Sequence, residues 1–184
     1  MIGEVLTRCQ RIAGVDEVVC TIPHSPDSLP LELEASKYVH DIFGGIEDDV
    51  LSRYMFAATR TKADIVVRVT GDCPLICPEL CGEVVSALKR ESAEYSSNVD
   101  PIRTFPQGYD CEAFTYKTLA RADREAGPYE REHVTTWMRR ADIKRASVTS
   151  PWPLEGRLTL DTWDDYKVIC AAFGHDAPER LRAA

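Results

Sequence analysis

Residues Ala63 to Leu80 read ADIVVRVTGDCPLICPEL, and this stretch decides the fold. Ile65, Val66, Val67 and Val69 form a short β-branched run, the composition of a buried strand. Thr70-Gly71 loosens the backbone, and Pro74 and Pro78 forbid the strand from continuing before a helix begins. Asp72 thus stands where a buried strand breaks into a loop. In a parallel α/β sheet that junction is the carboxyl end of a strand, where ligands sit, so a carboxylate there is placed to hold a metal or a phosphate.

Helices and strands alternate on either side. Ile2, Val5, Leu6, Cys9, Ile12 and Ala13 recur at helical spacing, Gly14 ends the helix, and Glu17 to Ile22 reads as a strand stopped by Pro23. Leu31 to Val39 and Asp48 to Thr61 read as helices, the second with acidic residues at its start, and His40 to Phe43 as a short strand between them. After a Pro78 to Arg90 helix come strands at Glu94 to Ser97 and Cys111 to Phe114, then helices at Lys117 to Ala126 and Tyr129 to Arg140. Strands at Ile143 to Val148 and Arg157 to Leu160 and a helix at Asp164 to Phe173 close the pattern. No repeat or linker interrupts it. The expectation is one α/β domain over residues 1–184, a three-layer α/β/α sandwich on a mostly parallel sheet, with a polar tail at 174–184.

Composition narrows the function classes. The chain has 184 residues, 44% of them hydrophobic, enough for one proper core, and its net charge of −8 is spread rather than blocked. That balance argues against a nucleic-acid surface and requires local positive charge or a divalent cation at any nucleotide site. No stretch approaches the roughly 20 apolar residues of a membrane span. The N-terminus lacks the basic-then-apolar order of a signal peptide, so the expected compartment is the cytoplasm. Cys73, Cys77 and Cys81 are spaced C-x3-C-x3-C, which matches neither zinc pairs nor an iron–sulfur signature. Small apolar fillers in a reducing compartment are the better account.

The stretch VTGDCPLICPEL resembles a segment of the SpsF-like nucleotidyltransferases of spore-coat polysaccharide biosynthesis, which are related to acidic-sugar cytidylyltransferases. Further matches follow in the same order: GGIEDDVLSRY at Gly44 to Tyr54, YSSN at Tyr95 to Asn98, PQGYDCEAF at Pro106 to Phe114, REHVT at Arg131 to Thr135 and RLTLDTWDDY at Arg157 to Tyr166. The resemblance covers Met1 to about Phe173. It implies a nucleotide-diphospho-sugar transferase-like (Rossmann-like) sheet and transfer of a nucleotidyl group, with CTP as donor, to a sugar or acidic sugar for glycan synthesis. Mg²⁺ is the implied cofactor, pyrophosphate the leaving group, and a homodimer the implied assembly, with Tyr95 to Phe114 as the expected contact region.

The same resemblance implies an earlier strand and a phosphate-binding loop, and Met1-Ile2 coincides with the middle of the phrase that follows them. Gly44-Gly45 lacks the following Lys of a phosphate loop. Without the first strand, its neighbours would face each other across a gap with unpaired N–H and C=O groups, each costing on the order of 1–3 kcal/mol when buried. Either the natural protein is longer or the sheet has rearranged; the phrase match favours the first. A noncatalytic binding or dimerisation partner is the alternative function. A sugar-nucleotide-dependent glycosyltransferase would want a D-x-D pair that Asp72-Cys73-Pro74 does not provide.

The resemblance also assigns residues. Asp72 and Asp161 are the implied metal-binding catalytic acids, and the competing role for Asp161 is an N-cap of the final helix, a job open to Thr162 and Asp164 as well. Gly45, Asp49 and Arg53, with Thr70 and Gly71, belong to the implied nucleotide segment; Asp49 capping a helix and pairing with Arg53 is the structural alternative. Relatives often carry a basic residue where Gly44 stands. Gln107, Asp110, Glu112, Glu132 and His133 fall in phrases on the implied acceptor side, as do Tyr109 and Arg131. Strand alternation puts Asp110 and Glu112 on one face, opposite Cys111.

Overall fold

The computed structural model describes residues 1–174. The polar tail expected at 174–184, Gly174 apart, lies outside the described residues. Helix α1 (Ile2–Cys9) buries Val5, Leu6 and Cys9, and strand β1 (Cys20–Pro23) follows. Helix α2 (Leu29–Ala35) leads to β2 (Ile42–Gly45), which pairs in parallel with β1 from Cys20 opposite Ile42 to Pro23 opposite Gly45. Helix α3 (Val50–Thr61) returns the chain to β3 (Ile65–Arg68), and α4 (Pro78–Arg90) has the expected bounds.

Four strands form the second sheet, in the order β3, β5 (Glu112–Thr115), β4 (Tyr95–Ser97), β6 (Arg145–Ser147). β4 and β6 are parallel, and β5 runs against both β3 and β4, so β3, β4 and β6 share one direction. Side chains alternate across β3. Ile65, Val67 and Val69 pack with α1 and α4. Val66 packs with α3, α5 (Tyr116–Glu125) and α7 (Thr136–Arg140). This is the expected layered α/β architecture, with helices on both faces.

Several expected elements differ in detail. The strand expected from Glu17 begins at Cys20. The helix expected over Tyr129 to Arg140 is broken into α6 (Pro128–His133) and α7 at the buried Val134, whose φ of 51° no helix contains. The strand expected at Arg157 to Leu160 is reduced to a single bridge between Gln107 and Arg157, after which Thr162 opens α8 (Trp163–Ala172). Tyr95 and Phe114, expected at the edges of a dimer contact, are 0% exposed because they lie in adjacent central strands. In the loop between them Ile102 is 66% exposed.

The two sheets do not join. Among the described residues β1 pairs with β2 alone and β3 with β5 alone, and a cleft of about 730 Å³ separates β1 from β3, lined also by α1 and α3. The gap implied for a sheet without its first strand is therefore present. Every residue of β3 is only partly buried, although its composition is that of a fully covered strand.

Candidate active site

The loop after β3 gathers the two acids. The Leu160 N–H donates to the Asp72 carbonyl at 2.8 Å, which brings Asp161, the next residue, beside the carboxyl end of β3. The same strip of chain is fastened to the P-Q-G phrase, because the Gln107 N–H donates to the Gly156 carbonyl at 3.0 Å and the Leu158 N–H donates to the Gln107 carbonyl at 2.7 Å. Gly108 permits this approach: its φ is +103°, and a Cβ there would lie 2.6 Å from the Leu158 carbonyl carbon. Sequence alone shows none of these cross-connections.

Asp161 does not cap α8. The Thr162 side chain accepts from the Asp165 N–H at 3.1 Å, while the Asp165 carboxylate accepts from the Thr162 N–H at 2.8 Å, a capping box. The Asp161 carboxylate is exposed and paired with Arg157. Asp72 is half-buried, 3.8 Å from the Cys73 sulfur through one carboxylate oxygen. Burial and the Asp72 charge push the Cys73 thiol up to about 12, so it is no nucleophile at neutral pH. Cys73 and Cys81 pack in the apolar core.

Among the described residues no three His, Cys, Asp or Glu side chains cluster as a metal cage. Two carboxylates at one strand end are instead a donor set for a hard cation that completes its shell with water and substrate phosphate oxygens, which is how Mg²⁺ is commonly held. Asp72 and Asp161 are donors of the type that suits such an ion.

A buried ionic cluster surrounds Glu112. Glu112 is 2% exposed. One oxygen accepts from Tyr95 Oη at 2.5 Å and from Arg139 Nη2 at 2.6 Å; the other accepts from Arg68 Nη1 at 2.8 Å and Thr135 Oγ1 at 3.0 Å. Burial raises the Glu112 pKa, but the charges of Arg68 and Arg139 outweigh it and hold the carboxyl below its ordinary value. Asp110, two residues before, is partly exposed and grips Arg103 through both oxygens, at 2.5 and 2.7 Å. The two acids of the P-x-G-x-D-x-E phrase thus separate instead of sharing one strand face, because Asp110 precedes β5 and stays partly exposed while Glu112 begins the strand and is buried. Asn98 braces the phrase, its amide donating to the Tyr109 carbonyl and its carbonyl accepting from the Cys111 N–H.

The segment expected on the nucleotide side is held differently. The Asp49 side chain accepts from the Ser52 N–H at 3.0 Å, capping α3, and pairs with Arg131 at 2.9 Å. Arg131 also reaches Asp123 at 2.7 Å. Asp49 therefore joins the GGIEDD phrase to the R-E-H-V-T phrase, and the expected pairing with Arg53 is absent. Arg53 instead donates to the carbonyls of Ile46 and Glu47 and packs on Gly45, while its buried Nε has no partner among the described residues. Thr70 bonds Cys73 across the turn, and Gly71 abuts Ile2. Glu132 and His133 are exposed on α6, the His133 ring edge-on to Tyr129 at 4.4 Å. Arg68, Tyr95, Arg103, Thr135 and Arg139, which contact Asp110 or Glu112, were not singled out in the sequence; the one signal there is Arg68, a charge inside the apolar run from Ile65 to Val69.

The cytidylyltransferase family profile matches residues 42–172, and the chain belongs to that family. It is 33% identical over 171 residues to an uncharacterized protein of Methanocaldococcus jannaschii, covering 89% of this chain and 68% of the relative. It is 28% identical to the spore coat polysaccharide biosynthesis protein SpsF of Bacillus subtilis, covering 85% of this chain and 66% of that protein. A solved cytidylyltransferase from Leptospira borgpetersenii superposes with a TM-score of 0.86 at 30% identity, over 94% of this chain and 75% of the other. Two further solved structures share the fold at lower identity. CMP:2-keto-3-deoxy-manno-octonic acid synthetase with CTP has a TM-score of 0.65 at 15% identity, over 94% of this chain and 87% of the other. Rv0371c of Mycobacterium tuberculosis with manganese has a TM-score of 0.64 at 16% identity, over 93% and 85%.

Proposed function

We propose that this protein serves cytidylyl transfer from CTP to a sugar-type acceptor in the synthesis of a surface polysaccharide or related glycan. An acceptor hydroxyl oxygen bonds to the α-phosphorus as its proton passes to water, the bond to the bridging oxygen breaks, and pyrophosphate leaves with that oxygen. The observation that carries this reading is the Leu160 to Asp72 backbone bond, which sets Asp161 beside Asp72 at the strand end where ligands bind. Asp72 and Asp161 would hold a divalent cation, Mg²⁺, which supplies neutralisation of phosphate charge when bound. Arg157 holds Asp161 in place until the ligand competes for it. Asp110 with Arg103 forms the polar rim on the acceptor side, and Gln107 ties that rim to the acid strip. Glu112 supports the acceptor side through Arg139 rather than by touching substrate. Arg53, with Gly45 and Asp49, lies on the nucleotide side. Use of CTP and the buried free thiols suit the cytoplasm.

Asp72→Asn tests this reading. With a panel of sugar acceptors, CTP and Mg²⁺, pyrophosphate release falls by at least about 100-fold, a loss of about 2.7 kcal/mol of transition-state stabilisation. Asp161→Asn gives a similar loss. Activity unchanged by both substitutions sinks the proposal; CTP binding without turnover for any acceptor favours the noncatalytic partner.

A homodimer would use the apolar tip made by Ile102, Trp152 and Leu154, which are 66%, 80% and 58% exposed. Their loops are tied by the Leu154 N–H donating to the Thr104 carbonyl. Trp152→Ala with Ile102→Ser then gives monomers on a sizing column, and an unaltered dimer removes this contact.

A further inference from the structure

Strands β1 and β2 end on the same side of the molecule as Asp72. Helix α4 returns the chain from the carboxyl end of β3 to the start of β4, so its last turn, with Lys89, marks the amino end of these strands. Gly14, from which the chain leads into β1, packs there against Val85 and Lys89. β1 therefore runs parallel to β3, and β2 runs with it. His24, the residue after β1, stands at the carboxyl end. Between it and Asp72 is the mouth of the cleft, lined by Pro23 on one side and by Thr70 and Gly71 on the other.

His24 is exposed, and its N–H donates to the Gly45 carbonyl at 2.7 Å, which fixes the residue on the strand end. The imidazole lies over Gly44: a Cβ on that glycine would be 3.2 Å from Nδ1. Nδ1 thus faces the strand, and Nε2, across the ring, faces away from it. Among the described residues nothing hydrogen-bonds the ring. Gly45 turns to the opposite face, where a Cβ would lie 2.7 Å from Arg53 Cγ. The end of β2 is therefore a bare backbone ledge between a histidine and an arginine. Just beyond it Glu47 and Asp48 are exposed acids. Their charge repels phosphate oxygens and admits an uncharged hydrogen-bonding group.

We propose that His24 is a binding residue for the nucleoside end of the nucleotide, which it meets through Nε2, and that Gly44 is the clearance that seats its ring. With the phosphates at Asp72 and Asp161, as the proposed function on which this rests has them, the nucleotide carries its uncharged base and ribose away from the cation. The ledge across the cleft mouth suits that end in charge and in hydrogen-bonding chemistry. A ring nitrogen without a protein partner supplies one bond to a base edge or a ribose hydroxyl.

Calorimetry with Mg²⁺ tests this on the full chain, with CTP and inorganic triphosphate as the two probes. His24→Ala weakens CTP binding by about tenfold, the loss expected of one hydrogen bond, and leaves triphosphate binding and the thermal midpoint where they were. His24→Gln, whose amide nitrogen can take the place of Nε2, recovers most of the loss. Gly44→Ala displaces the ring, weakens CTP binding by a smaller factor, and adds nothing in the His24→Ala background. CTP affinity unchanged by His24→Ala overturns the proposal, as does an equal loss for triphosphate, which would place the residue at the phosphates. Asp72→Asn in parallel keeps the two readings apart. CTP binding that needs Asp72 and not His24 overturns the role of His24 alone, whereas a wild type that does not bind CTP overturns the proposed function with it.

Discussion

The two edges of β3 lie in opposite conditions. On one side it is zipped to β5, with Val66 opposite Phe114 and Arg68 opposite Glu112, and the cluster there satisfies a buried carboxylate with partners from β3, β4, the α6–α7 break and α7. On the other side the same residues face an open cleft and stay partly exposed. One strand therefore has a finished edge and an unfinished one, and its β-branched composition describes neither. What differs is the neighbour, and the neighbour is a tertiary fact.

The largest effect comes from breaking the finished edge. Glu112→Ala strands Arg68 and Arg139, 19% and 39% exposed, without their counter-charge and should cost about 3–5 kcal/mol in urea unfolding. The sign with pH follows from the lowered Glu112 pKa. Its contribution is full above the ordinary glutamate range and is lost as pH falls through the lower folded value. The gap in stability between the wild type and Glu112→Gln therefore narrows on acidification, and a gap that widens would contradict the cluster as described.

A smaller effect tests the tie between the GGIEDD and R-E-H-V-T phrases. Asp49→Ala removes the α3 cap and releases Arg131, and should cost about 1–2 kcal/mol. Asp49→Asn, which keeps a cap acceptor, recovers most of it. Equal losses would assign the effect to the Arg131 pair instead. The smallest effect belongs to the unfinished edge. Ile65→Val should cost about 0.5 kcal/mol, the low end for this change, because the side chain is only partly buried. A cost above about 1.5 kcal/mol would mean that the cleft is closed in solution.

The elements themselves were largely legible. The Asp64 to Thr70 run, the Pro78 to Arg90 helix and the Asp49 cap carry local signals, in β-branching, a proline at the first helical turn and an acidic residue before an apolar helix. The break at Val134 was not, because REHVTTWMRR has helical spacing throughout; the residue adopts φ 51° where Val134 is buried and Thr135 contacts Glu112. The strand expected at Arg157 to Leu160 failed for a related reason. Its alternation is real, but its partners are a loop and the Asp72 carbonyl rather than a strand.

By itself the sequence determined the alternation of helices and strands, the strand-to-loop position of Asp72 and the order of phrases that marks the cytidylyltransferase family, because each depends on residues close together in the chain. Only the tertiary structure decided that Asp161 comes to Asp72, that Asp110 meets Arg103 while Glu112 sinks between two arginines, that Asp49 takes Arg131 rather than Arg53, and that β3 keeps one edge open. Those are pairings between distant segments. Their energies depend on burial and on which charges lie within a few ångströms, quantities that exist only once the chain has packed.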